Sequence, residues 1–227
     1  MTLKALIFDV DGTLAETEEA HRAAFNRTFA EAGLAWDWSV GDYTVLLETT
    51  GGKERMRRYR EDLAKEHPDD DKIAELHRIK TEYFADILSG GSLELRPGVA
   101  ELIERACSAG LRIAVATTTN RPNVDALSWS CWGCAADDIF DVIAAGDDVD
   151  TKKPAPDVYL LALKRLGLRA TDAIAFEDSV NGLRSARAAD LRTLVTPSMY
   201  TTHQNFASAD WILPDLTPKH LPEVLRF

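Results

Sequence analysis

Five short apolar segments recur along this chain: Leu3–Val10, Arg112–Thr118, Phe140–Ala145, Ala173–Glu177 and Arg192–Val195. Helical patterns separate most of them, over Gly98–Ala109, Asn123–Ser130, Pro156–Leu166 and Val180–Ala189. Regular strand–helix alternation predicts an open α/β sheet with helices on both faces. Ligands of such sheets bind beyond the carboxyl ends of the strands, so the chemistry should be sought there.

The alternation breaks once. Between the first two strands lie about eighty residues, rich in charge and with apolar positions at helical spacing, such as Ala20, Ala24, Phe25, Thr28 and Phe29, and then Ile73, Leu76, Ile79, Lys80, Tyr83, Phe84 and Ile87. An insertion of this size reads as a separate helical domain, residues 15–96. Residues 1–14 and 97–227 then form the sheet-bearing core. With 227 residues, 45% of them hydrophobic, the chain can bury a core of that kind.

The first strand runs out into Phe8-Asp9-Val10-Asp11-Gly12-Thr13-Leu14. Side chains alternate along a strand, so Asp9 and Asp11 point to the same side while Val10 faces away, and two carboxylates that close resist joint ionisation. A divalent cation, or the pairing of a nucleophile with an acid, would account for them. A calcium loop does not, because its glycine belongs at the sixth position and a glutamate at the twelfth. At the second strand end, Val115-Ala116-Thr117-Thr118-Thr119-Asn120 offers hydroxyl and backbone donors to an anion. Lys152-Lys153-Pro154-Ala155-Pro156 stiffens the approach to a helix and so positions Lys153. Glu177-Asp178 closes a further apolar strand with two adjacent acids, which need a cation or solvent.

In this order, each at a different strand end, the motifs resemble those of the haloacid dehalogenase superfamily of phosphotransferases. The resemblance implies a Rossmann-like parallel sheet with an inserted α-helical cap, and Mg2+ as cofactor. It implies Asp9 as nucleophile through an aspartyl-phosphate, Asp11 as acid and base, and Thr117 and Lys153 as holders of the phosphoryl oxygens. Asp9, Asp11, Glu177 and Asp178 become the candidate metal-site residues, and Thr118 and Asn120 candidate substrate contacts.

Within the insertion, Thr49-Thr50-Gly51-Gly52-Lys53-Glu54-Arg55 exposes backbone N–H groups beside two cations, which suits a second phosphate. It is not a Walker loop, since Glu54 stands where serine or threonine is needed. This run and Ala15-Glu16-Thr17-Glu18-Glu19-Ala20-His21 are similar to the CbbY-type phosphatases of Calvin-cycle organisms, which dephosphorylate xylulose-1,5-bisphosphate, a Rubisco inhibitor. That likeness implies Glu18, His21, Tyr43, Gly51, Gly52, Lys53 and Arg55 as phosphosugar contacts. A β-phosphoglucomutase-like isomerase shares the four motifs and is the alternative, with His21 and Lys80 placed to orient a sugar. Asp190 stands where related sequences often carry glycine, and aspartate also tolerates a left-handed turn.

Other classes fit less well. A net charge of −11 disfavours nucleic-acid and anionic-membrane partners. No apolar run approaches the roughly 20 residues of a membrane span. Met1-Thr2-Leu3-Lys4 enters the first strand without a targeting segment, which predicts a cytoplasmic protein, expected as a monomer. Cys131-Trp132-Gly133-Cys134 could serve a redox or binding module, but it lacks a second metal-ligand pair and does not open a helix.

Overall fold

The computed structural model describes residues 3–64, 67–91 and 93–227, so Met1 and Thr2 lie outside it. Six parallel strands form one sheet: β1 (Ala5–Phe8), β2 (Arg112–Ala116), β3 (Val142–Ala144), β4 (Ala173–Glu177), β5 (Arg192–Val195) and β6 (Trp211–Ile212). Their spatial order is β3-β2-β1-β4-β5-β6. The chain builds outward from β1 to one side and then returns to add β4 on the other. The reversal opens a crevice beside β1, and Phe8 pairs with Phe176, so the residues that follow β1 meet those that end β4. The sixth strand has only two residues, too few for any periodicity to announce it.

Both faces of the sheet are covered. Leu6, Phe8, Ile113, Val115, Ile174 and Phe176 pack on one side against α5 (Val99–Ser108) and α6 (Arg121–Trp132). Ala5, Ile7, Ala114, Ala116, Ala173 and Ala175 face α7 (Asp157–Leu166) on the other, and α8 (Val180–Ala188) adds Ala186 there. The small side chains on that second face let the helices approach closely. Burial on both faces explains why the strands read as unbroken apolar runs.

Between β1 and β2 lie α1 (Glu18–Glu31), α2 (Val40–Leu46), α3 (Gly52–Asp62) and α4 (Asp70–Ser89). Their shared core is aromatic, with Phe25, Phe29, Trp36, Trp38 and Tyr43 around Met56, Ile73 and Leu76. Asp69 caps α4 by accepting from the Lys72 N–H at 2.8 Å. Ala24, Phe84 and Leu88 reach instead into the core against the sheet. The connections into and out of this helical stretch lie side by side, as Ala15 bridges Leu95 and the Arg96 N–H donates to Leu14 O at 2.8 Å.

Two local expectations change. β1 ends at Phe8, and the Asp9 N–H makes a last ladder bond to Phe176 O at 3.0 Å before the chain turns. Strand alternation therefore does not set the directions of Asp9 and Asp11. The turn needs Gly12 at φ +81°, and a Cβ there would run into the Asp178 carboxylate. Asp190, by contrast, adopts the left-handed conformation expected of it, at φ +60°.

Candidate active site

A cavity lies over the carboxyl ends of β1 and β4, roofed by the helical stretch. Its walls include Asp9, Asp11, Lys153 and Asp178 below and Glu18, His21, Gly51, Gly52, Arg55 and Lys80 above. At its floor Asp9, Glu177 and Asp178 offer carboxylate oxygens that all lie within 4.8 Å of one another. The Lys153 ammonium donates to Asp9 Oδ1 at 2.7 Å and to Glu177 Oε1 at 2.6 Å, and Tyr159 donates to the same Glu177 oxygen at 2.5 Å. Glu177 comes this close because Gly182 of α8 has no side chain; a Cβ there would overlap its carboxylate.

One lysine does not balance three buried acids. Burial and the neighbouring Glu177 raise Asp9 to about 7 against the pull of Lys153. Burial, Asp9 and Glu177 push Asp178 well above the usual carboxylate range. Burial alone would lower Lys153, but Asp9 and Glu177 override it and hold the ammonium charged. Glu177 Oε2 is buried and, among the described residues, has no partner. Excess negative charge, an unpaired buried oxygen and an all-carboxylate donor set fit a hard divalent cation.

Asp11 faces the other way. Its carboxylate accepts from Thr17 Oγ1 at 2.6 Å and from His21 Nε2 at 2.8 Å, and it stands apart from the acidic cluster. Burial would raise it, but His21 and Thr17 outweigh that and bring it down to about 2. Lys80 Nζ lies 2.5 Å from His21 Nδ1. While Lys80 is an ammonium it can only donate, so that ring nitrogen accepts and Nε2 carries the proton given to Asp11. Burial, seconded by Lys80, shifts the imidazole's pKa downward against the pull of Asp11. The ring also stacks on Phe84 at 3.9 Å.

Lys80 is buried between the rings of Phe25 and Phe84, and its desolvation lowers it to about 7. An unfolded lysine keeps its proton to about 10.5. Between those limits the unfolded chain binds more protons, so stability rises with pH. Lys80→Met should remove this rise, worth up to about 4 kcal/mol, as read from urea denaturation at pH 6.5 and 9.5. An unchanged slope would show that Lys80 titrates normally.

Further up the wall, Tyr43 donates to Glu18 Oε2 at 2.9 Å and accepts from Arg55 Nη1 at 2.9 Å, while Arg55 Nε reaches Leu46 O at 3.2 Å. Tyr43 thus stands behind the cavity and sets Glu18 and Arg55. Thr118 lines it, whereas the Thr117 hydroxyl is buried beneath and accepts from the Thr119 N–H at 3.1 Å. Asn120 caps α6 by accepting from the Asn123 N–H at 3.0 Å and donates to Thr81 at 3.2 Å. Lys53 is outside the wall, 3.7 Å from Asp147. Among residues the sequence reading did not place there are His77 of α4 and Asn181, Ser198, Tyr200, Thr201 and Gln204 of the core. For Ser198, Tyr200, Thr201 and Gln204 the available signal is the run Thr196–Asn205, dense in hydroxyls and amides after a strand end.

The two remaining cysteine-based readings find no support. Cys131 and Cys134 are free thiols at the end of α6, away from the cavity. Burial pushes Cys131 up to about 11, so it is no reactive thiolate. Among the described residues, no helix is long and apolar enough to cross a membrane.

Comparison with known proteins agrees with this geometry. Residues 3–190 match the haloacid dehalogenase-like hydrolase family. A CbbY protein of Rhodobacter capsulatus is 61% identical over 217 residues, covering 96% of this chain and 95% of the relative. The crystal structure of CbbY from Rhodobacter sphaeroides in complex with phosphate superposes with a TM-score of 0.91 at 52% identity, covering 96% of each chain. A mutant of that enzyme in complex with xylulose-1,5-bisphosphate gives 0.90 at 51% identity, again over 96% of each. The chain belongs to the haloacid dehalogenase-like hydrolases, as a phosphatase of the CbbY kind.

Proposed function

We propose that this phosphatase is magnesium-dependent and removes one phosphate from a sugar bisphosphate, xylulose-1,5-bisphosphate, through an aspartyl-phosphate. The observation that carries the reading is a cavity with a buried cationic side chain at each end. Lys153 and the carboxylate cluster lie at one, and buried Arg55 with the Gly51–Gly52 start of α3 at the other. The bisphosphate bound by the Rhodobacter sphaeroides relative supports the same choice.

Asp9, Glu177 and Asp178 would hold magnesium, whose charge when bound offsets that of the carboxylates and the phosphoryl oxygens. Asp9 attacks phosphorus as the bond to the sugar oxygen breaks. Lys153 and Thr118 hold the phosphoryl oxygens, and the Thr117 hydroxyl beneath them fixes the loop by accepting from the Thr119 N–H. Asp11 gives its proton to the departing sugar oxygen. It then takes one from the water that cleaves the aspartyl-phosphate, so each turnover restores it. Because Thr17 and His21 hold Asp11 ionised at rest, it must be protonated before the first step, and the His21–Lys80 chain stands where that proton would pass.

Phosphate release from xylulose-1,5-bisphosphate and from β-glucose-1-phosphate, each with magnesium, tests the reading. Rapid release from the bisphosphate supports it. Conversion of β-glucose-1-phosphate to glucose-6-phosphate without free phosphate would make the enzyme a mutase. Arg55→Ala should raise KM for the bisphosphate roughly 10- to 100-fold while sparing p-nitrophenyl phosphate, since it removes a charge-assisted contact to one end only. Lys53→Ala should act in the same sense but more weakly, because its ammonium shares Asp147. Equal losses on both substrates would mean that neither cation reads a second phosphate.

A further inference from the structure

Two tyrosines meet at the roof of the cavity. Tyr43 and Tyr200 pack edge to face with ring centroids 5.9 Å apart. Their hydroxyls differ. That of Tyr43 is saturated, giving its proton to Glu18 and receiving one from Arg55. That of Tyr200 is buried and has no partner among the described residues, although Tyr200 is one of the residues lining the cavity. A phenol rarely gives up its hydration without a hydrogen bond in exchange.

The position of Tyr200 is not loose. The loop that carries it is tied to the core: the Ser198 N–H donates to Thr201 Oγ1 at 2.9 Å, and that hydroxyl donates to Asp178 O at 2.7 Å. Arg96 holds Thr196 O at 2.7 Å and Pro197 O at 2.8 Å. The Tyr200 ring is then inserted among the aromatic side chains of α1 and α2 and is 4% exposed. The ring is thus fixed in place by the tied loop and by the aromatic cluster. Other orphans read differently. Trp38 Nε1 lies inside the aromatic cluster and away from the cavity. Asn123 Oδ1 belongs to an amide already committed to Thr119.

We infer that Tyr200 is a specificity-determining residue whose hydroxyl donates a hydrogen bond to a hydroxyl group of the bound sugar phosphate. Asn181 and Gln204 also line the cavity; the Asn181 amide donates to Glu48 O and the Gln204 amide accepts from the Val180 N–H, leaving the other half of each neutral amide to a polyol rather than to a second phosphate. The inference rests on the sugar-phosphatase reading above. It adds that discrimination among phosphate esters depends partly on a core loop and not only on the inserted helices.

Tyr200→Phe keeps the ring and deletes only the orphaned group. The probes are p-nitrophenyl phosphate, which has no hydroxyl to receive the bond, and the best substrate among xylulose-1,5-bisphosphate, ribulose-1,5-bisphosphate, fructose-1,6-bisphosphate and β-glucose-1-phosphate. KM for the sugar phosphate should rise about tenfold with kcat little changed, and kcat/KM for p-nitrophenyl phosphate should stay within about twofold. The ligand-free variant should melt no lower than the parent, because nothing is unpaired by the change. Unchanged KM for the sugar phosphate would overturn the inference while leaving the phosphatase reading intact. So would a lowered melting temperature, which would reveal a partner for the hydroxyl within the protein. If the parent enzyme itself releases phosphate from none of the sugar phosphates, both readings fall together.

Discussion

Asp9→Asn should lower phosphate release by about 10⁴-fold or more and leave the fold intact. Asparagine keeps the shape of the side chain but cannot form the acyl phosphate. The stability side of the change follows from the same burial. Asp9 titrates near 7 in the folded chain and near 3.8 when unfolded, so the folded state binds more protons over that interval. Its contribution to stability is therefore complete below pH 4 and is lost as pH rises through about 7. In EDTA, the variant should lack this share of the fall in stability between pH 5 and 8, as urea denaturation at the two pH values would register. Its melting temperature at pH 8 should match or exceed that of the parent, since Lys153 retains Glu177 at 2.6 Å. Activity within tenfold of the parent would remove Asp9 from the role of nucleophile.

Lys153→Met should be as damaging to activity and far more damaging to the fold. The side chain is 3% exposed and is the ammonium that contacts both Asp9 and Glu177. Methionine fills much of the volume but leaves the buried carboxylates without their counter-charge, a loss on the order of 3–5 kcal/mol at neutral pH. Acidification should restore much of it as Asp9 and Asp178 take up protons, so the deficit at pH 7.5 should exceed that at pH 5. Phosphate release should fall by at least about 10³-fold, because the donor to the phosphoryl oxygens is gone. A melting temperature at pH 7.5 equal to that of the parent would mean that the cluster is balanced by other means.

These residues were readable in the sequence for a geometric reason. Asp9, Thr117, Lys153, Glu177 and Asp178 follow or end strands or stiff turns, and a parallel sheet brings such ends together whatever its loops do. The cap was less legible. Lys53 and Arg55 look equivalent in a charge pattern, yet residues two apart on a helix point roughly 200° from each other, so only one can turn inward. Here Arg55 does, and Lys53 goes to Asp147. Lys80 announced itself faintly, as a cation on the stripe Ile73, Leu76, Phe84 and Leu88. Its partner His21 lies 59 residues earlier, which no local pattern links to it. Tyr200 left only the compositional hint of the polar run Thr196–Asn205. Its loop has no periodicity, and its neighbour Tyr43 is reached only once the helices close over the sheet.

The place of the Tyr200 ring bears on how enzymes of this type could be recombined. Residues 15–96 look like a cassette whose two ends emerge together at Ala15 and Leu95, ready for exchange with the corresponding stretch of another hydrolase. Yet one ring of its aromatic interior is supplied from the far end of the polypeptide. A transplanted cassette would arrive with a gap where that ring belongs, and the recipient would keep a tyrosine with nowhere to go. Chimeras that carry Thr196–Asn205 along with the helices should therefore outperform those cut at the two obvious seams.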